Sequence, residues 1–156
     1  MPLVTPWPGV RQALIRQLRS NLVLEAGMPG NRWGEGIDLQ DTAYPLGLVT
    51  LHYDPVMYDW SGQVAMVGVD VVVISKSDMG EASQLAQLAY TSLHDVRLTV
   101  SGQTSLSCRF MSGISLVDVD KEGKAVYEAG GVYEALVAQS RPQLQTLSVS
   151  LDSTIA

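Results

Sequence analysis

Residues 63–75 most constrain the fold, because this β-rich stretch is apolar on both of its faces. One face consists of Ala65, Val67, Val69, Val71 and Val73. The opposite face is mostly apolar as well and consists of Val64, Met66, Gly68, Asp70, Val72 and Ile74. A strand that is apolar on both faces is covered on both. The pattern therefore predicts a helix against one face and another cover, such as a second subunit, against the other.

The composition also indicates a surface that another chain covers. The 156 residues fit one domain, and we predict a domain over residues 1–140 followed by a C-terminal extension or arm over 141–156. Charged residues make up only 17% of the chain, against about 25% in an average soluble domain. A chain with so few charges is expected to bury part of its surface in an oligomer.

Charge and residue inventory exclude several classes of function. The net charge of −6 and the pI near 4.7 argue against a protein that binds nucleic-acid phosphates. No apolar run approaches the ~18–20 residues of a membrane span, and residues 1–11 lack the pattern of a secretory signal. We therefore expect a cytoplasmic chain with no membrane partner.

The few residues suited to catalysis have ordinary structural explanations. Cys108 lies in an alternating stretch typical of a buried thiol, while His52 belongs to a strand and His94 closes a helix. These three residues have no metal-ligand spacing, and no glycine-rich loop lies between a strand and a helix as a phosphate site requires. We expect no catalytic residue, no metal and no cofactor.

Apolar periodicity and turn residues predict an α+β fold. Helices are predicted over 10–26 and 79–94, and strands over 46–53, 63–75, 97–101, 104–110, 113–120 and 125–137. Long loops cover 28–45 and 54–62. A turn at 121–124 makes a hairpin of the last two strands, and Gly130-Gly131 predicts a bulge in the final strand. The expected architecture is a mostly antiparallel sheet packed against two helices.

Two segments carry candidate interface residues of opposite character. The loop 54–62 contains residue types that supply large contact areas at interfaces, or that fold back onto the sheet edge: Val56, Met57, Tyr58 and Trp60. The polar side of helix 10–26 carries three arginines, which form either a solvated face or a contact patch for an acidic neighbour: Arg11, Arg16 and Arg19.

Two further candidates are an apolar alternation near the C-terminus and one buried acid. Leu147, Val149 and Leu151 alternate with polar residues, so this stretch either adds as a strand to a sheet edge of its own or a neighbouring chain, or frays. Asp70 is set among valines, so its carboxylate needs a hydrogen-bond donor, exposure to solvent at the rim of the sheet, or a salt bridge between subunits, for example to Arg97 or Arg109.

The order of elements resembles that of the tail terminator (tail completion) proteins of long-tailed bacteriophages, the family that includes the phage lambda tail terminator. The likeness covers residues 10–138 and lies in three stretches. They are Tyr44-Pro45-Leu46, Val67-Gly68-Val69-Asp70-Val71-Val72-Val73, and the helix from Glu81-Ala82 through Leu85-Ala86 to Leu93. This chain departs from the family in its loops 28–45 and 54–62 and in its C-terminal tail.

The resemblance implies a virion protein of the tail or neck, assembled in the host cytoplasm, with no active site. It would form a homomeric ring, expected to be a hexamer, that caps the tail tube, stops polymerisation of the tail tube protein and offers a face to the head–tail connector protein. DNA would pass through without specific binding, which an acidic lumen favours. Candidate lumen residues are Asp118, Asp120, Glu122, Glu128 and Glu134.

Two alternative functions remain open at this point. One is another neck component, such as a head-closure or connector protein. The other belongs to a different class, a small-ligand-binding module or hydrolase that uses Asp70 and His52 in a pocket formed by the long loops.

Overall fold

The computed structural model describes residues 7–28, 32–34, 44–52, 64–101 and 104–139. Within these ranges the chain forms three helices, α1 (Trp7–Arg19), α2 (Leu22–Gly27) and α3 (Met79–Leu93). The strands in these ranges are β1 (Trp33–Gly34), β2 (Leu46–His52), β3 (Val64–Ser75), β4 (Val96–Ser101), β5 (Thr104–Val119) and β6 (Ala125–Gln139). No helix of the described residues is long and apolar enough to cross a membrane.

The strands join in one sheet in the order β1-β2-β3-β6-β5-β4. Among the strands of the described residues, only β1 runs parallel to its neighbour, and the other pairings are antiparallel. β3 and β6 are therefore central, while β5 and β6 form a long hairpin through residues 120–124. The predicted α+β class with a mostly antiparallel sheet is confirmed.

The helices cover one face of this sheet, and the main core lies between the two layers. The core residues of β3 are Val67, Val69, Val71 and Val73. The helices contribute Leu14, Leu18, Leu24, Leu85 and Leu93. The prediction that a helix covers one face of the valine-rich strand is confirmed: α3 packs against β3 and β6, while α1 packs against β2 and β4.

The predicted single helix over 10–26 is wrong, because the chain breaks at residues 20–21 and the first helix already begins at Trp7. Asn21 Oδ1 accepts hydrogen bonds from the backbone N–H groups of Val23 and Leu24, so it caps a second helix. Asn21 Nδ2 also donates to Ser92 Oγ at 2.8 Å. The break thus fixes α2 against α3, which a continuous helix could not do.

The two predicted strands over 104–110 and 113–120 form one strand, β5. Between Phe110 and Ser112 the register with β6 shifts by one residue, so Met111 is the extra residue of a bulge. The bulge predicted at Gly130-Gly131 therefore lies in the neighbouring strand. The glycines themselves give close packing, since a Cβ at Gly130 would clash with the backbone of β3 at Val71.

The predicted loop over 28–45 contains one strand, β1, that the sequence did not reveal. Its register places Trp33 beside Gly47, and the indole ring occupies the space that a Cβ at Gly47 would fill. Residues 29–31 and 35–43 lie outside the described residues. Helix 79–94, in contrast, is confirmed as α3, and Asp78 Oδ1 caps it by accepting from the Glu81 N–H at 2.7 Å.

Candidate interaction surface

The sheet face turned away from the helices, which we call the open face, is only partly covered by the described residues. Along β3 it alternates with the buried valines, and Met66, Asp70 and Val72 are each half-buried there. The register adds side chains from the flanking strands. These are Leu48, Thr50 and His52 of β2, Glu128, Val132, Glu134 and Leu136 of β6, and Arg109, Ile114, Leu116 and Asp118 of β5.

One corner of the open face is closed by the chain itself. Leu46, Ile74 and Val126 form a small buried cluster against which Tyr44 packs. Lys76 Nζ lies 4.4 Å from the centre of the Tyr44 ring, an arrangement that a cation–π attraction stabilises. Burial raises the pKa of Tyr44, and the nearby carboxylate of Asp120 adds to this rise. The remaining part of the open face is therefore the part available to another molecule.

His52 and Asp70 meet on the open face. His52 Nε2 lies 2.8 Å from Asp70 Oδ2, across the β2–β3 pair, and the side chains are 52% and 28% exposed. Asp70 thus has a donor within its own chain, and Arg109 has an acceptor there, since its Nη2 donates to Glu134 Oε2 at 3.2 Å. Of the explanations considered for Asp70, the structure supplies the donor within the same chain, His52.

Cys108 cannot serve as a nucleophile with His52. Its side chain is buried on the helix-covered face of β5, whereas His52 belongs to the open face of β2. Burial raises the pKa of the Cys108 thiol to about 12, so the thiol stays protonated at neutral pH. The prediction of a buried structural cysteine is confirmed.

His94 is also held in a structural arrangement. Its Nδ1 accepts the Phe110 N–H at 3.2 Å, and its Nε2 lies 3.2 Å from Asp95 Oδ2. Both ring nitrogens of His94 therefore have partners within the chain. Within the described ranges, no three His, Cys, Asp or Glu side chains group as metal ligands.

A concave depression of about 710 Å³ occupies the open face between β3, β6, β5 and β4. Met66 and Leu136 form part of its apolar wall, and Arg97, Arg109 and Glu134 lie around it. The mixture of apolar wall and polar rim is the composition typical of a protein–protein contact.

The five candidate lumen acids separate into different environments. Asp120 Oδ1 accepts the N–H groups of Glu122 and Lys124, which holds the hairpin turn and lowers the pKa of Asp120. Glu122 lies 3.5 Å from Lys124 in the same turn. Asp118 and Glu128 are neighbours on the open face, where burial first and the Asp118 charge second raise the pKa of Glu128. Asp118 and Glu128 are therefore the two candidate acids that the fold brings together on the open face.

The fold has a known counterpart. It is similar to a chain in the virion of a native gene transfer agent (GTA) particle, with a TM-score of 0.70 and 17% sequence identity. The similarity covers 86% of this chain and 98% of that chain. No protein-family model and no curated protein sequence matches this chain. At this identity the likeness shows the fold alone.

The predicted interface residues lie on different surfaces of this fold. Arg16 and Arg19 are exposed on α1, and Arg11 is half-buried there, so all three belong to the helix layer and not to the open face. The residues of loop 54–62 and the C-terminal Leu147, Val149 and Leu151 lie outside the described residues. The structure therefore places Asp70, Asp118 and Glu128 on one face of the sheet. The three arginines lie in the helix layer on the other side.

The strongest exposed apolar group was not selected from the sequence. Met111, Leu116, Val117 and Val119 of β5 are exposed near the hairpin. The signal was present, because residues 114–119 are apolar on both faces, as residues 63–75 are. Leu22 and Val23 at the start of α2 are likewise exposed, and only the helix break explains their position.

Proposed function

We propose that this chain is a structural protein of a phage-like virion, and that it acts there as a tail terminator. In this role it forms a ring on the end of the tail tube, stops addition of further tube subunits and presents a face to the head–tail connector. Catalysis has no part in this function.

The observation that carries the proposal is the fold shared with a virion chain over almost the whole of that chain. That chain belongs to the virion of a gene transfer agent particle. The same order of elements led independently to the tail terminator family from the sequence. Two separate routes thus support a virion component, and the finer role comes from the family resemblance.

Self-assembly is supported by the open face. The described residues cover one side of β3 with helices, while the other side has half-buried apolar groups such as Met66 and Val72. Leu136 beside them is 41% exposed. Apolar surface of this kind marks a protein contact when it is contiguous and rimmed by polar groups. A neighbouring copy in a ring supplies such a cover.

The lumen is best assigned to the acidic part of the β5–β6 hairpin. Asp118 and Glu128 lie side by side on the open face near the turn, and Asp120 follows. Carboxylates repel DNA phosphates, so an acidic lining keeps the passing strand unbound. The arginines of α1, in the opposite layer, would then lie away from the DNA.

Two measurements test this function. Native mass spectrometry and electron microscopy of the purified full chain should show a closed ring, expected to contain six copies. Added to polymerising tail tube protein of the same phage, the ring should bind tube ends and shorten the tubes in proportion to its concentration. A monomer at micromolar concentration, or tubes of unchanged length without end binding, would contradict the proposal. Binding to the connector alone would assign the chain to another neck component.

One observation favours a second candidate function, the hydrolase considered from the sequence. The His52–Asp70 pair has the 2.8 Å spacing of a base and its orienting acid. An activated-ester substrate tests this candidate, with Asp70→Asn as the matched variant. Hydrolysis that falls at least about a hundredfold in this variant would support a hydrolase, and equal rates would remove the candidate.

A further inference from the structure

The outer edge of β5 is unpaired over the second half of the strand. β4 pairs with β5 only as far as Val96 opposite Cys108, and the next donor, the Phe110 N–H, is taken by His94 Nδ1. From residue 111 to 119, no strand of the described residues pairs with β5 on the side away from β6. We call this stretch the free β5 edge (residues 111–119).

The free β5 edge is apolar and carries few of the usual protections of an edge strand. Natural edges are blocked by lysine, proline, bulges or inward-pointing charges. Here the bulge at Met111 and the carboxylate of Asp118, which accepts the Val119 N–H at 2.7 Å, stand at the two ends. Between them, Val117 is 61% exposed, as is Val119 beyond. Such an edge is a template for another strand.

We propose that the C-terminal arm of a neighbouring copy, through residues 147–151, adds to the free β5 edge as an antiparallel strand. Leu147, Val149 and Leu151 alternate with serines, so one face of the added strand is apolar and the other polar. In the register that sets Val149 beside Val117, Leu147 lies beside Val119 and all of these apolar groups share one face. The added strand then covers the exposed valines.

The length of the chain excludes its own arm from this position. Gln139, where β6 ends, pairs with Thr104, whereas the level of Ser115 on β5 is that of Ala129 on β6. Those ten residue steps along β6 span about 33 Å at ~3.3 Å per residue. The eight steps from Gln139 to Leu147 reach at most about 29 Å even when fully extended. The chain's own Leu147 thus cannot reach the apolar half of the edge, and a neighbour's can.

Charge decides the direction of the added strand. In a parallel arrangement with Val149 beside Val117, Asp152 would come to the level of Asp120 and close to Asp118. In the antiparallel arrangement it lies near Ile114, about four residue levels (roughly 13 Å) from Asp118 and about six (roughly 20 Å) from Asp120. Like charges on neighbouring strands destabilise the pairing. The antiparallel direction also has the more stable hydrogen-bond geometry.

This inference rests on the proposed self-assembly and names one of its contacts. An arm that leaves one copy and adds to an edge of the next joins two different surfaces. Contacts of this head-to-tail kind close into rings when the rotation between copies allows it. Strand exchange therefore supplies an interface in addition to the open face.

Disulfide trapping in the full-length protein tests the contact. Two preparations are mixed, one with Val117→Cys and one with Val149→Cys, and each carries a tag of different mass. Cys108 stays in place, since its burial and its pKa of about 12 keep it unreactive. Because paired cross-strand Cβ atoms lie about 4.5–5.5 Å apart, close to disulfide distance, mixed oxidation should yield at least about ten times more inter-chain product than a control. The matched control replaces Val117→Cys by Gln84→Cys, on the exposed side of α3 and away from the open face.

A second pair of variants tests direction. Leu147→Cys should cross-link to Val119→Cys and not to Ser115→Cys, whereas the reverse preference would overturn the antiparallel arrangement. No more inter-chain product than with the Gln84→Cys control would overturn the inference. Native mass spectrometry of each variant tests the arm contact separately from the terminator role. A ring without cross-links refutes only the arm contact, while cross-links without an effect on tube length refute only the terminator role.

Discussion

Replacing Leu136 by glutamate should separate self-assembly from folding. Leu136 lies on the open face beside Met66 and is 41% exposed in the single chain. Complete burial of a leucine side chain contributes about 1.5–3 kcal/mol. Covering the part still exposed is therefore worth about 1 kcal/mol in each contact between copies.

The introduced carboxylate adds a larger penalty in the assembly. In the single chain it would stand in the depression that Arg97 and Arg109 border, open to water, so the fold can accommodate it. Against a neighbouring copy it would lose that water, and burial of a poorly paired charge costs several kcal/mol. We expect the contact to weaken by at least about 3 kcal/mol, which is more than a hundredfold in the dissociation constant.

Sedimentation velocity over a range of protein concentrations measures this change, and urea unfolding measures the fold. The free energy of unfolding of the Leu136→Glu chain should fall by no more than about 2 kcal/mol. Gln84→Glu places the same charge on the exposed side of α3 and should leave assembly unchanged. Should Leu136→Glu assemble at the same concentrations as the unmodified chain, the open face is not the contact between copies and the reasoning from β3 fails.

Three further predictions follow from single contacts. Asn21→Ala removes the cap of α2 and the hydrogen bond to α3, so the free energy of unfolding, measured in urea, should fall by about 1–3 kcal/mol. An unchanged free energy of unfolding would show that Asn21 does not stabilise the break between α1 and α2. Glu128 has a raised pKa, so its charged form destabilises the fold above that pKa and its protonated form does not. Glu128→Gln should therefore raise the free energy of unfolding at pH 7 and leave it unchanged at pH 3. An equal gain at both pH values would contradict the assigned cause. Cys108 should react with a thiol reagent at pH 8 only as fast as the chain unfolds, and immediate reaction would show an accessible thiol.

The elements that local chemistry determines could be predicted from the sequence. Helix 79–94 begins at an aspartate cap and carries its own apolar stripe, so its bounds differ from those of α3 by one residue at the C-terminal end. The valine alternation in residues 63–75 predicted both the helix-covered face and the presence of a second, apolar face. Both signals lie within fewer than about twenty residues, which is the range over which periodicity can be read.

The features that sequence reasoning missed depend on distant partners. Asn21 interrupts a good helical pattern because its side chain bonds to Ser92, far along the chain. The meeting of His52 with Asp70 depends on the register of two strands that a loop separates. The free β5 edge arises because β4 is much shorter than the strand it flanks, and strand lengths are not fixed by alternation. Each of these features depends on which distant segments contact each other and not on the local preference of the sequence for a helix or a strand.

The hairpin acids and the apolar edge belong to one strand pair, and this arrangement needs a common explanation. Burial, and second the charge of Asp118, raise the pKa of Glu128, so a neutral side chain at position 128 would be more stable there. Beside them the same strand exposes Val117 and Val119 along an unpaired edge. An isolated chain gains nothing from either feature. In a ring, the neighbouring copy would cover the apolar edge, while the acids would remain in water along the DNA path. Assembly would therefore explain both the exposed apolar edge and the paired acids.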